Sequence, residues 1–277
     1  MKANVLLQGE IGTGKTRSLI TLLPEYWDDT TGKIRKGAGL NAFCTALEPG
    51  LEDTIDCNLC GHPEAPQVPL HWHYIPPGEV TWAQIRKYAV LARELSLSAL
   101  ITTQDPSRRA YTQYNDLLVN CQDFICHGCG KHFGDVSEWD DSYAHAIDGL
   151  TGLTRAAKQL FIGARPVIGR EEYQPIQGFI EAFLDLHWSC TRCTAILTSH
   201  VDRRENEITH ASEITMDTAG PALVKKLVRK PSEIIMTERT PRGDYVWNTA
   251  FQGNRATKRR RLPEAPNLAP DFAQMFR

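Results

Sequence analysis

Gly9-Glu10-Ile11-Gly12-Thr13-Gly14-Lys15-Thr16 is the stretch from which the rest of the chain is read. It follows the apolar run Asn4-Val5-Leu6-Leu7, which reads as a buried strand. It opens a segment of helical spacing from Thr16 to Leu23, limited by Pro24. A glycine-rich turn between strand and helix brings successive backbone N–H groups up to phosphate oxygens without a Cβ in the way. In the pattern GxxxxGK[ST], Lys15 reaches the β- and γ-phosphates and the Thr16 hydroxyl binds Mg²⁺. Gly9, Glu10, Ile11, Gly12, Thr13, Gly14, Lys15 and Thr16 are therefore the expected nucleotide cradle. The same string arises by chance in other proteins, but here its strand and helix flanks meet the required context.

Outward from this loop, apolar runs alternate with helical spacing. Strands are predicted at 40–47, 70–75, 143–148 and 194–200, with a late pair at 233–237 and 245–249. Helices are predicted from Trp82 to about Ser107, from Tyr111 to Asn120, and over 154–164 and 174–188. The alternation implies an α/β fold with a largely parallel sheet and helices on both faces. Residues 1–253 form the expected core, with insertions around 55–66 and 121–139. Residues 254–277 read as a basic C-terminal tail or irregular cap.

Strand ends carry the acids. Asp148 closes an apolar strand and precedes Gly149, at the carboxyl end where open α/β sheets bind ligands, so it is the candidate Mg²⁺ carboxylate. Asp140 and Asp141 precede that strand and belong at its other end. Glu48 ends the strand after the glycine-rich loop, within reach of a water attacking a γ-phosphate. His200 ends Thr198-Ser199-His200 and could hydrogen-bond the γ-phosphate. For each, the plain alternative is a solvated turn residue.

Eight cysteines in a chain with no signal-peptide pattern call for something other than disulfides. Cys57/Cys60 and Cys126/Cys129 are Cys-x-x-Cys pairs followed by glycine, the zinc-knuckle form. Together they supply the four ligands of a structural Zn²⁺. Topology permits the pairing, because both knuckles are expected near the same sheet edge. Cys190/Cys193 is a competing pair, His62 and His132 are spare ligands, and unmetallated thiols are the alternative.

With 31 Lys and Arg against 33 Asp and Glu, the formal charge of -2 excludes a globally basic nucleic-acid binder but not a local patch. No stretch approaches the roughly 20 apolar residues of a membrane helix. Two basic clusters stand out, Lys225, Lys226, Arg229 and Lys230, then Lys258-Arg259-Arg260-Arg261. Either could track a DNA backbone, although charge runs are more often solvated surface. Lys225, Lys258 and Arg260 are candidates to complete a neighbouring subunit's ATP site. Trp72, Tyr74, Trp82, Tyr111 and Tyr114 could stack bases but fit core or interface roles better.

Walker A loop, Leu47-Glu48, Ala146-Ile147-Asp148 and His200, in that order, resemble the RecA-type core, which carries glutamine at the last position. Ala219-Gly220-Pro221-Ala222-Leu223-Val224-Lys225-Lys226 resembles the stretch where RecA-type proteins place lysines that reach a neighbour's nucleotide. A closer resemblance, over most of the chain, is to bacteriophage ATPases of the single-strand-annealing group. It is carried by Leu70-His71-Trp72-His73-Tyr74-Ile75-Pro76-Pro77, Phe133-Gly134-Asp135-Val136-Ser137-Glu138-Trp139, Ile147-Asp148-Gly149-Leu150-Thr151-Gly152-Leu153, Ile196-Leu197-Thr198-Ser199-His200-Val201 and Arg261-Leu262-Pro263. The resemblance implies a RecA-like P-loop NTPase that uses ATP and Mg²⁺ to bind, anneal or pair single-stranded DNA as a homo-oligomer. Its expected compartment is the cytoplasm, that of the host if phage-encoded. Two other readings stay open: a nucleotide-switched loader or regulatory module acting through a protein partner, and a motor subunit on duplex DNA.

Overall fold

Val5, Leu6 and Leu7 are apolar on both faces, and in the computed structural model they form the middle of strand β1 (Asn4–Gly9), buried from Val5 onward. The structure describes residues 2–205, 212–250 and 256–276. After the glycine-rich loop comes one α-helical turn, α1 (Lys15–Ser18), which tightens into a 3₁₀ turn over Leu19–Leu22. The helical segment expected from Thr16 to Leu23 is thus present over Lys15–Leu22, its second half as 3₁₀. Pro24 disfavours the helical conformation at Leu23, which is extended with ψ 160°. A hairpin absent from the sequence reading follows, β2 (Glu25–Asp28) and β3 (Lys33–Lys36). The exposed Lys33-Ile34-Arg35-Lys36 strand shows no alternation of buried and exposed positions, which removes the usual signal.

The chain continues through β4 (Asn41–Ala46), α2 (Leu51–Ile55) and β5 (His71–Tyr74). The long helix expected from Trp82 divides into α3 (Trp82–Glu94) and α4 (Leu97–Thr102), because Ser96 caps a new helix by accepting from the Ala99 amide. Next come α5 (Gln113–Gln122), β6 (Tyr143–Asp148), α6 (Leu150–Ile162) and α7 (Tyr173–Asp185), the last running into a π turn at Leu186–Cys190. The final elements are β7 (Thr194–Glu205), β8 (Ser212–Met216), α8 (Pro221–Leu227), β9 (Glu233–Arg239) and β10 (Tyr245–Asn248).

One sheet runs β10-β9-β1-β7-β6-β4-β5, and β8 adds to the distal part of β7. Every pairing from β9 to β5 is parallel; β10 on β9 and β8 on β7 are antiparallel. The expectation of an α/β, mostly parallel sheet with helices on both faces is met. Val5 and Leu7 enter one core with Leu19, Leu51 and Ile55. Leu6 enters the other with Leu117, Leu153, Ile180 and Leu223. The described part of residues 254–277 takes the cap alternative. Leu262, Phe272 and Met275 are buried in the first core, and the Phe272 ring meets Trp247 edge-on at 4.9 Å. No helix among the described residues is long and apolar enough to cross a membrane.

The strand order decides where the site lies. β7 inserts between β1 and β6, so the carboxyl ends of β1, β6 and β4 stand in a row with His200 of β7. That strand runs on to Glu205, past the strand end expected at His200, because β8 pairs with its distal part. Gly9 lies opposite His200, and Ala46 opposite Asp148. Residues far apart in sequence therefore open onto one crevice.

Candidate active site

The loop from Gly9 to Lys15 is shaped by three glycines. Gly12 and Gly14 take left-handed backbone (φ 75° and 86°), which side chains rarely tolerate. A Cβ on Gly9 would stand 2.2 Å from Thr237 Oγ1 and 2.5 Å from the Thr237 carbonyl on neighbouring β9. The loop thus folds over the sheet and turns Lys15 inward. That side chain is buried, with Nζ donating to the carbonyls of Gly9 (2.9 Å) and Glu10 (2.8 Å). Burial pulls the Lys15 ammonium down to about 8, against the opposing pull of Asp148, Glu48 and Glu10.

Two hydrogen-bonded groups face this lysine. In the first, Asp148 accepts from Thr16 Oγ1 at 2.8 Å and from Thr198 Oγ1 at 2.5 Å. Burial raises the Asp148 carboxyl above its usual range despite these bonds, with nearby Glu48 adding to the rise. In the second, His200 lies between Lys15 and Glu48, its Nδ1 3.3 Å from Lys15 Nζ and its Nε2 3.3 Å from Glu48 Oε2. An ammonium only donates, so Nδ1 is the acceptor and Nε2–H the donor to Glu48. Burial acts to raise the Glu48 carboxyl, but the His200 hydrogen bond and the Arg155 charge hold it below its ordinary value. Glu48 rests on the start of α6, where a Cβ on Gly149 would come within 3.0 Å of its Cδ. Arg155 fixes the approach by donating to the Leu47 carbonyl at 3.1 Å.

Ile11 to Arg17, Glu48, Asp148, Thr198 and His200 line a cleft of about 280 Å³. A second cleft of about 320 Å³ shares Gly14 and Arg17 with it and runs between the β2–β3 hairpin and Tyr245. The Tyr245 ring sits against Gly14 and beneath the Arg17 guanidinium, 5.7 Å away. Together the clefts offer one glycine-lined end carrying Lys15, Glu48 and Asp148 and one end with an aromatic wall. Sequence reasoning missed Thr198, Arg155, Arg17 and Tyr245. Thr198 alone had a visible signal, a hydroxyl inside an apolar strand. Asp140 lies at the amino end of β6, away from the cleft as expected, bonded to Ser142.

The other predicted residues divide. Cys60, Cys126 and Cys129 converge, but their fourth neighbour is His71, with the ligand atoms of all four within 4.8 Å of one another. Cys57 is not in the group. It sits on the 3₁₀ turn Asp56–Asn58 with Asp29, Asp56 and Glu64 around it, so the expected four-cysteine set is corrected. The turn carries the Cys57 side chain away, while the parallel bridge of Leu59 to Leu70 brings Cys60 up to β5. The spare ligands are engaged elsewhere, His62 with Asp56 and His132 with Asp123. Cys193 is buried outside the group, and the Cys190 side chain lies outside the described residues.

Most residues of the two basic clusters are exposed, and several pair on the surface. Lys226 pairs with Glu181 at 2.7 Å and Lys230 with Asp185, tying α8 to α7, while Lys225 is exposed. Lys258 Nζ donates to the Arg229 carbonyl, and the Arg260 amide bonds Glu233 at the amino end of β9. Within one chain Lys258 and Arg260 therefore stand toward the end of the sheet opposite Lys15. Tyr111 and Tyr114 are core residues, Trp72 and Tyr74 are half-buried, and Trp82 is 87% exposed.

No protein-family model matches the chain, and no curated protein matches it either.

Proposed function

We propose that the chain is a RecA-like P-loop ATPase that binds ATP with Mg²⁺ and acts on single-stranded DNA as a homo-oligomer in recombination, annealing or replication. What supports the ATPase half is one observation: the loop lysine, a hydroxyl–carboxylate pair and a histidine-held glutamate share a single cleft at the carboxyl ends of parallel strands. The single-stranded DNA half rests on the resemblance.

Thr16 and Asp148 are hard-oxygen donors and would hold Mg²⁺, which when bound neutralises charge on the phosphates. Lys15 would exchange its loop carbonyls for phosphate oxygens, replacing ammonium–carbonyl bonds with stronger ones between opposite charges. Glu48, kept ionised by His200, would accept a hydrogen bond from the attacking water and aim it. His200 touches both Lys15 and Glu48, so a change at the phosphate end would reach the water-orienting carboxylate through one imidazole. The cleft beside Tyr245 and Arg17 would take the nucleoside.

Steady-state ATP hydrolysis tests the proposal, measured alone, with single-stranded DNA and with duplex DNA. Stimulation by single strands at least tenfold over duplex is the expected result, an order of magnitude that reflects selective closure of the site. Equal rates in all three would remove DNA from the reading, and stimulation by duplex alone would make it a duplex motor.

The depressed Lys15 adds a pH signature. A triphosphate favours the ammonium and so raises its pKa in the complex. Affinity is then full below about 8, where the free protein already carries the charge. It falls as pH rises through that value, by up to about tenfold per unit. ATP titrations by calorimetry near pH 7 and near pH 9 check this, and a Kd unchanged between them excludes Lys15 as the charged phosphate contact.

A further inference from the structure

We propose that Cys60, His71, Cys126 and Cys129 form a structural zinc site that clamps a covering turn onto the free edge of the sheet. This inference is independent of the nucleotide reading. The four residues come from three separate segments: the turn after Asp56–Asn58, the first residue of β5, and the loop after α5. Their ligand atoms lie within 4.8 Å of one another, and Cys129 Sγ is 3.8 Å from His71 Nδ1. Ligand atoms around a tetrahedral zinc, with Zn–S near 2.3 Å, stand about 3.7 Å apart, so the group needs only a small contraction to close.

The backbone is built for this approach. A Cβ on Gly128 would lie 1.7 Å from the Cys60 carbonyl, so the two knuckle turns touch back to back and only glycine fits between them. Gly61 and Gly130 take positive φ (100° and 68°), as each turn requires after its cysteine. The loop is closed by Gly130 N donating to Cys126 O (2.8 Å) and Cys126 N to Lys131 O (3.0 Å). Below lies an aromatic floor. The His71 ring stacks on Phe43 at 5.1 Å and tilts against Phe133 at 4.4 Å, and Cys126 is fully buried beside Phe124 and Trp139.

Four protein ligands leave no open position, so the site is structural and not catalytic. Binding converts three thiols to thiolates with release of their protons, while the imidazole binds neutral. β5 is the edge strand, and an uncovered edge invites pairing with other chains. Here the cysteine loop covers it. His127 N donates to the Trp72 carbonyl at 2.8 Å, and Tyr74 N donates to His127 Nδ1 at 3.3 Å. Cys60 N meets the Leu70 carbonyl at 2.9 Å. Zinc would add to these bonds a direct link from the cover to His71 on β5.

The full chain, purified under reducing conditions without a histidine tag, should carry about one zinc by mass spectrometry of the metal content. His71→Ala and Cys129→Ser should lose at least about four-fifths of it, and Cys57→Ser should keep it. Because a variant could fail to fold, wild-type protein is also stripped by a mild chelator and refilled with Co²⁺. A thiolate charge-transfer band is expected, together with light scattering that rises on stripping and reverses on refilling. Wild-type protein with neither zinc nor a cobalt–thiolate band overturns the site. Loss of zinc in Cys57→Ser with retention in His71→Ala overturns the ligand set.

Discussion

Glu48→Gln is expected to retain ATP binding within about twofold and to lower the hydrolysis rate by roughly 10²- to 10⁴-fold, the usual worth of a positioned base. The amide keeps the shape that packs on Gly149 and Gly152, and its oxygen still accepts from His200 Nε2. What it loses is the charge that orients and deprotonates water. Single-turnover measurement separates this from slow product release, because a chemical defect lowers the first turnover as much as the steady state. A variant hydrolysing at the wild-type rate would falsify the assignment of Glu48 and return that role to another carboxylate in the cleft.

Lys15→Ala should abolish the other half of the site. Removing one partner of a buried charged contact costs about 2–5 kcal/mol, so ATP affinity should fall roughly 30- to several thousand-fold. Folding should survive, since truncating the side chain also relieves the burial penalty that depresses Lys15. The signature is a melting temperature close to wild type without nucleotide and no upward shift when ATP and Mg²⁺ are added. If the variant still gains stability from ATP as wild type does, the glycine-rich loop is not the phosphate site. The two variants fail differently. One binds without turning over, and the other does neither.

Much of this site could be read along the chain. A strand, a glycine-rich turn and a helical start occupy consecutive residues, so the cradle is local in sequence as well as in space. Asp148, Glu48 and His200 were found because apolar runs end abruptly at polar residues, and parallel strands bring those ends to one side. Tyr245 and Arg155 were not found. Tyr245 reaches Gly14 only because β10 folds back on β9, and Arg155 reaches Leu47 only because the start of α6 packs at Gly152 against Leu47 and Glu48. Neither contact leaves a periodicity. The β2–β3 hairpin was missed for a related reason, since an exposed two-stranded ribbon need not alternate.

The cysteines mark the same boundary. Residue spacing identified two glycine-flanked knuckles and the sheet edge where they meet, because a Cys-x-x-Cys-Gly turn is a local device. It did not identify the fourth member of the group. That choice falls to His71 over Cys57 because the bridge of Leu59 to Leu70 draws Cys60 toward β5, where His71 is the first residue. Sequence by itself determined what is local along the chain: the loop, the polar ends of the apolar runs, the knuckle turns and the α/β alternation. Tertiary structure alone decided which distant side chains complete them. Such contacts depend on strand order and packing angles, which many sequences satisfy and no short pattern records.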